Sequence, residues 1–172
     1  MSDEISAPTL PLPETAYETP NGDCRIAFRQ TGHVLQVLAP PFGADVSAHL
    51  SKLSEGGSCA VRATGPGAWY VVGDALLTPQ DVAHWETQLG AQITLIDQTH
   101  GRVRLELSGP GAARRLATGT AVDLSLHRFA EGAACETLFG HISIHLTRTD
   151  PDRFEVLVGR SLALSLWDEL AR

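Results

Sequence analysis

The sequence predicts an α+β fold built from two βαββα-type halves, with mostly antiparallel sheets covered by helices. Three observations carry this. Strand-like and helix-like segments follow one another in the same order in both halves of the chain. "RATGPGAWYVVG" (62–73) aligns without a gap on "RTDPDRFEVLVG" (148–159), at an offset of 86 residues. Each copy reads as strand, Pro-containing turn, aromatic and hydrophobic strand ending in Gly, and each is followed by a helix bearing a tryptophan, Trp85 or Trp167. Repetition of this kind marks a duplicated supersecondary unit that buries its apolar face against its neighbour.

The elements follow in order. Residues 1–22 hold Pro8, Pro11, Pro13 and Pro20 with little periodicity, so they read as an extended arm of the kind that is disordered alone and ordered on a partner. Residues 23–172 read as a single α+β domain of two pseudo-repeats, about 33–98 and 101–172. In the first, "HVLQVLAP" is an apolar run stopped by Pro40-Pro41, hence a strand. "GADVSAHLSKL" places Val46, Leu50 and Leu53 at helical spacing. "SCAVRA" and "AWYVVG" flank a "TGPG" hairpin turn. "TPQDVAHWETQLG" is a helix with Thr78 as cap, Pro79 at the first position and Gly90 as its end. Val82, Trp85 and Leu89 form its apolar stripe, and "AQITLID" is a strand.

In the second, "RVRLELSG" alternates Val103, Leu105 and Leu107 with Arg102, Arg104 and Glu106, which gives a half-buried strand. "PGAARRLATG" is a short helix closed by Gly119. "ACETLFG" and "HISIHLTRT" are strands meeting at Gly140-His141, and "FEVLVG" is another. "SLALSLWDELAR" is the closing helix, with Ser161 as its cap.

Composition narrows the function. The 172 residues are 43% hydrophobic and 19% charged, ordinary for a globular protein, with no apolar run near the ~20 residues of a membrane span. The start of the chain lacks the basic and apolar regions of a secretory signal, so a cytoplasmic location is expected. Cys24, Cys59 and Cys135 are odd in number and widely spaced, which points to reduced thiols and away from a disulfide framework or zinc site. The net charge of −7 is uneven: residues 1–101 carry four basic and eleven acidic side chains, and residues 102–172 carry nine of each. Every basic residue except Lys52 is arginine. Dispersed arginines on an acidic chain disfavour nucleic acid, but arginine suits protein interfaces.

No motif supplies a catalytic constellation, a cofactor site or a metal site. Ser108-Gly109-Pro110-Gly111 opens a helix beside Arg114 and Arg115, where an anion could sit, but no P-loop or dinucleotide fingerprint is present and Pro110 lacks an N–H. The turn therefore reads as helix-starting chemistry. His141 and His145 lie four apart on one strand, about 13 Å at ~3.3 Å per residue, too far to share a zinc. They read as solvent-facing or interface histidines. His100, Arg102 and Asp97 cluster at a strand entry, where Asp97 reads as a hydrogen-bond acceptor for local backbone or Arg102. Ser108, Ser161 and Thr99 have no nucleophile-elbow context, and the cysteines have no activating neighbour. Trp85 and Trp167 read as core, while one of Trp69 and Tyr70 faces outward from its strand. The interface candidates are Trp69, Tyr70, Arg102, Arg104, Arg114 and Arg115.

Two stretches carry a family resemblance. "DQTHGRVRLELSGPGAARRLATG" and "RTDPDRFEVLVGRSLALSLWDEL" resemble segments of the aminomethyltransferase (glycine-cleavage T-protein) family and related folate-binding domains. Length, "GPGAWYVVG" and "TLFGHISIHLTR" resemble one branch more, the gamma subunits of heterotetrameric sarcosine oxidase. The resemblance spans roughly residues 30–172. It implies a non-catalytic subunit that packs on the alpha subunit, with beta and delta subunits, in oxidative demethylation of sarcosine to glycine with one-carbon transfer to tetrahydrofolate. It implies that FAD, FMN, NAD and tetrahydrofolate lie on the partner subunits and none on this chain. Thr99 stands where the family has Ser, and "RTDPDRFE" lacks the family's glycines and tyrosine, so the fold is carried over and the ligand site is not. The alternative is a standalone folate-binding or one-carbon-transfer protein, with Asp97, His100 and Arg102 as its polar residues.

Overall fold

The computed structural model describes residues 12–40, 50, 57–91 and 93–172. The strands are β1 (Tyr17–Glu18), β2 (Arg25–Arg29), β3 (His33–Leu38), β4 (Cys59–Gly65), β5 (Ala68–Gly73), β6 (Thr94–Asp97), β7 (Arg102–Ser108), β8 (Ala134–Phe139), β9 (Ile142–Asp150) and β10 (Arg153–Gly159). The helices are α1 (Pro79–Leu89), α2 (Ala112–Ala117) and α3 (Ala163–Ala171), the last entered through a 3-10 turn at Arg160–Leu162. The helix expected over "GADVSAHLSKL" lies outside the described residues apart from Leu50, which is helical and buried.

These elements form two antiparallel sheets, ordered β4-β5-β3-β6 and β1-β2-β7-β10-β9-β8. The α+β class with antiparallel sheets is as the sequence predicts. A common pattern runs through both sheets. The hairpin β4-β5 pairs with β3, and the hairpin β9-β10 pairs with β7. These are the strands carrying the 86-residue repeat. Each hairpin turns through two residues, Pro66-Gly67 or Pro151-Asp152, beside a register shift. The strand that flanks β3 is β6, from later in the chain, whereas the strand that flanks β7 is β2, from earlier.

β2 is absent from the sequence reading. Its alternation is regular, with Ile26 and Phe28 buried between Arg25 and Arg29, but five residues among turns give a weak periodic signal. Residues 12–22, expected in the arm, run against the six-stranded sheet: Tyr17 pairs with Ile26, and Leu12 and Tyr17 pack on its core.

Each sheet buries its outer face beneath helices. Val103, Leu105 and Leu107 of β7 and Phe154, Val156 and Val158 of β10 pack on Leu116 of α2 and Leu166 and Leu170 of α3. Trp167 stacks on Phe28 at 4.9 Å between ring centres. Leu35, Val37 and Val71 of the smaller sheet pack with Leu89 and Trp85 of α1. Local chemistry sets α1 where the sequence places it: Thr78 and Asp81 cap each other's backbone N–H groups, Pro79 stands at the first turn, and Gly90 ends the helix at φ 85°. Ser161 does not cap α3. It sits exposed inside the 3-10 turn, and Leu162 holds the cap position without a side-chain bond.

The two inner faces meet. Val34, Tyr70 and Val72 of the small sheet touch Leu157 of the large one. This second burial accounts for the largest departures from the sequence reading, all of them on strands whose polar face was expected to meet water.

Candidate functional site

The inner faces bring together side chains from five strands. Glu155 on β10 lies at the centre, almost fully buried. Arg104 on β7 grips it with Nε donating to Oε1 at 3.1 Å and Nη2 donating to Oε2 at 2.9 Å. Arg62 on β4 donates from Nη1 to Oε1 at 2.7 Å, and so ties the small sheet to the large one. Arg104 also donates to the Gly73 carbonyl at 2.8 Å and to Asp74 at 2.8 Å. Burial pushes the Glu155 carboxyl up, but the hydrogen bonds and charge of Arg104 and Arg62 override it and hold the group below its ordinary range. The cluster is one carboxylate shared by two guanidinium groups, a geometry that fixes sheet orientation.

His145 on β9 completes the layer. It is wholly buried, its Nε2 lies 3.2 Å from the Ala63 carbonyl, and its ring meets Tyr70 edge-on at 5.3 Å. Burial lowers its pKa to about 4, so it stays neutral at pH 7 and donates to the Ala63 carbonyl. The reading of His145 as solvent-facing or interfacial is corrected by this placement; His141 is exposed, as expected. Arg102 stacks over the same Tyr70 ring, its guanidinium carbon 4.8 Å from the ring centre.

The interface candidates therefore divide. Tyr70 and Arg104 are buried within the chain and serve its own sheet packing, so they are corrected as surface contacts. Trp69 turns to the outer face of its sheet and packs partly buried beside α1. Arg102 is half-buried. Arg114 is exposed and pairs with Asp23, while Arg115 donates to the Leu170 carbonyl at the end of α3.

The Gly-Pro-Gly turn is also occupied from within. Gly109 N–H donates to the Asp152 carbonyl at 2.9 Å and Gly111 N–H donates to the Asp23 carbonyl at 2.8 Å. A side chain added at Gly111 would run into the Asp23 carboxyl. The amides a phosphate would need are taken, and α2 spans only six residues. Asp97 accepts from the Thr99 backbone N–H at 2.8 Å, the local role expected of it. Cys24, Cys59 and Cys135 are buried or half-buried, and burial raises each thiol. Among the described residues no group of three or more His, Cys, Asp and Glu side chains could hold a metal.

A cleft of about 410 Å³ opens at one end of the inter-sheet layer. It is lined by Arg29 and the β2–β3 loop, by Thr99, His100 and Arg102 at the β7 entry, and by Arg160 beyond β10. Arg160 donates from Nε to the His100 carbonyl at 2.6 Å, which places it beside Arg102. The sequence reading singled out His100 and Arg102. Arg29 and Arg160 come from other elements, and only the topology brings them near. The cleft can hold an anion; among the described residues it carries no nucleophile set against a base.

No protein-family model matches the sequence, and no curated protein matches it. Solved structures do. A chain of the heterotetrameric sarcosine oxidase from Corynebacterium sp. U-96 superposes with a TM-score of 0.75 at 20% identity, covering 86% of this chain and 82% of that one. The glycine cleavage system aminomethyltransferase T from Bartonella henselae superposes with a TM-score of 0.58 at 19% identity, covering 84% of this chain. This chain spans only 44% of that protein. No helix among the described residues is long and apolar enough to cross a membrane. The chain has the aminomethyltransferase-like fold, in the form found in a chain of heterotetrameric sarcosine oxidase.

Proposed function

We propose that the chain is a non-catalytic accessory subunit of the gamma type in a heterotetrameric sarcosine oxidase complex. In this reading it packs on the alpha subunit in the cytoplasm, alongside beta and delta subunits, during oxidative demethylation of sarcosine to glycine with one-carbon transfer to tetrahydrofolate. FAD, FMN, NAD and tetrahydrofolate reside on the partner subunits. One observation carries the proposal: the superposition on the sarcosine oxidase chain runs through most of both chains, whereas the aminomethyltransferase is more than twice as long as the part matched. The polar side chains support it, since Glu155, Arg62, Arg104, His145 and Tyr70 are engaged in holding two sheets together.

An omission experiment tests it. The alpha, beta and delta subunits are produced with and without this chain, and assembly and sarcosine-dependent peroxide formation are measured. Loss of assembled, active complex when the chain is left out is expected. Full assembly and activity without it, with no binding when it is added back, would overturn the proposal.

A further inference from the structure

We propose that the cleft at the end of the inter-sheet layer binds a small organic carboxylate, held by Arg160 and Arg102. The inference goes beyond the subunit reading and does not depend on it.

Charge is the first ground. Arg29 and Arg104 also line the cleft, but they are neutralised: Arg29 donates to Glu106 at 2.7 Å, and Arg104 is bonded to Glu155 and Asp74. Arg102 and Arg160 form no ion pair within 4.0 Å among the described residues. Glu136 acts on Arg102 only at longer range, and the Nε of Arg102 is buried without a hydrogen-bond partner. The same guanidinium stacks on the Tyr70 ring and hydrogen-bonds its hydroxyl, which holds it in place, while a buried donor left unbonded carries a cost in free energy. Arg160 is held in place through its Nε by the His100 carbonyl, which leaves its two terminal nitrogens to form a carboxylate fork. Glu14 is the one acidic residue lining the cleft; it is exposed and pairs with neither arginine.

The remaining lining sets the ligand class. Val34 is a buried wall and Leu76 stands exposed at the rim. An apolar wall beside two cations fits an acid with a hydrocarbon body better than a bare inorganic anion. The volume lies within the ~300–1,000 Å³ of small-molecule sites.

The test is an NMR titration of the purified full chain, with any partner it retains, using benzoate, succinate and inorganic phosphate. Saturable shifts of the Arg102 and Arg160 side-chain signals with an organic acid are expected, with phosphate at least ~10-fold weaker. Arg160→Gln should weaken the acid ~10-fold or more while the fold persists by circular dichroism. Glu14→Gln, an exposed change, should tighten it by a factor of about two. No saturation by either acid in folded protein would overturn the proposal. So would affinity unchanged in Arg160→Gln, or phosphate binding as tightly as the acids.

Discussion

Arg104 and Glu155 lie diagonally across adjacent strands and join through two hydrogen bonds of 3.1 and 2.9 Å, both side chains shut away from water between the sheets. Arg62 reaches the same carboxylate from the opposite sheet. Replacing Glu155 with Gln leaves buried Arg62 without its counter-charge and Arg104 with only the exposed Asp74. The expected loss of stability is about 3–5 kcal/mol, read by denaturant unfolding. A double change to Arg62→Met with Glu155→Gln should not add the two single losses, because both act on one cluster.

The same carboxylate makes the fold acid-sensitive. Its native pKa lies below its ordinary 4.5, so its stabilisation is complete above that value and is lost as pH falls through the lower native one. In Glu155→Gln the unfolding free energy should fall less steeply below pH 4.5 than in the unaltered chain.

His145 acts over a higher window. Its pKa drops from 6.5 unfolded to about 4 when buried, so the unfolded chain takes up the proton first. Its contribution is complete above pH 6.5 and fades between 6.5 and 4, to a total of about 3 kcal/mol. His145→Phe should flatten the stability profile across that interval. An unchanged slope would show that another group titrates there.

Two glycines separate backbone conformation from crowding. Gly22 at φ 69° has open space around it, whereas Gly109 at φ 110° lies against the Asp23 carbonyl. Gly22→Ala should cost about 1 kcal/mol from the left-handed backbone alone. Gly109→Ala should cost clearly more, at about 3 kcal/mol, since backbone flanking the buried Cys24 must also move. Thermal melts of the two variants compare them directly.

Thr78→Ala removes one side of the Thr78–Asp81 capping box and should cost about 1 kcal/mol. Asp81 then loses the hydroxyl hydrogen bond from Thr78 but keeps the one from the backbone N–H of residue 78, so a partial upward shift of its carboxyl is the accompanying signal by carboxyl NMR.

What was legible in the sequence was local. The α1 cap, Pro79 and Gly90 act within a few residues, and the β4-β5 and β9-β10 hairpins repeat their letters. β2 escaped because its five residues depend on β7, some 80 positions later, for their pairing. The inner-face residues escaped for a different reason. Alternation in β7 and β9 separates two faces, but it does not say whether the second face meets water or another sheet. Arg104 reads as a surface arginine until Glu155, 51 residues away, is placed beside it. The cleft was half legible: His100 and Arg102 stand together in the chain, but Arg160 reaches them only through the fold.

The most direct test of the subunit reading is to isolate the tagged chain from its native cells and record its mass and visible absorbance together. The account predicts co-elution with larger chains as a yellow, flavin-bearing complex that forms peroxide when sarcosine is added. A colourless chain eluting by itself near 18.4 kDa would contradict it.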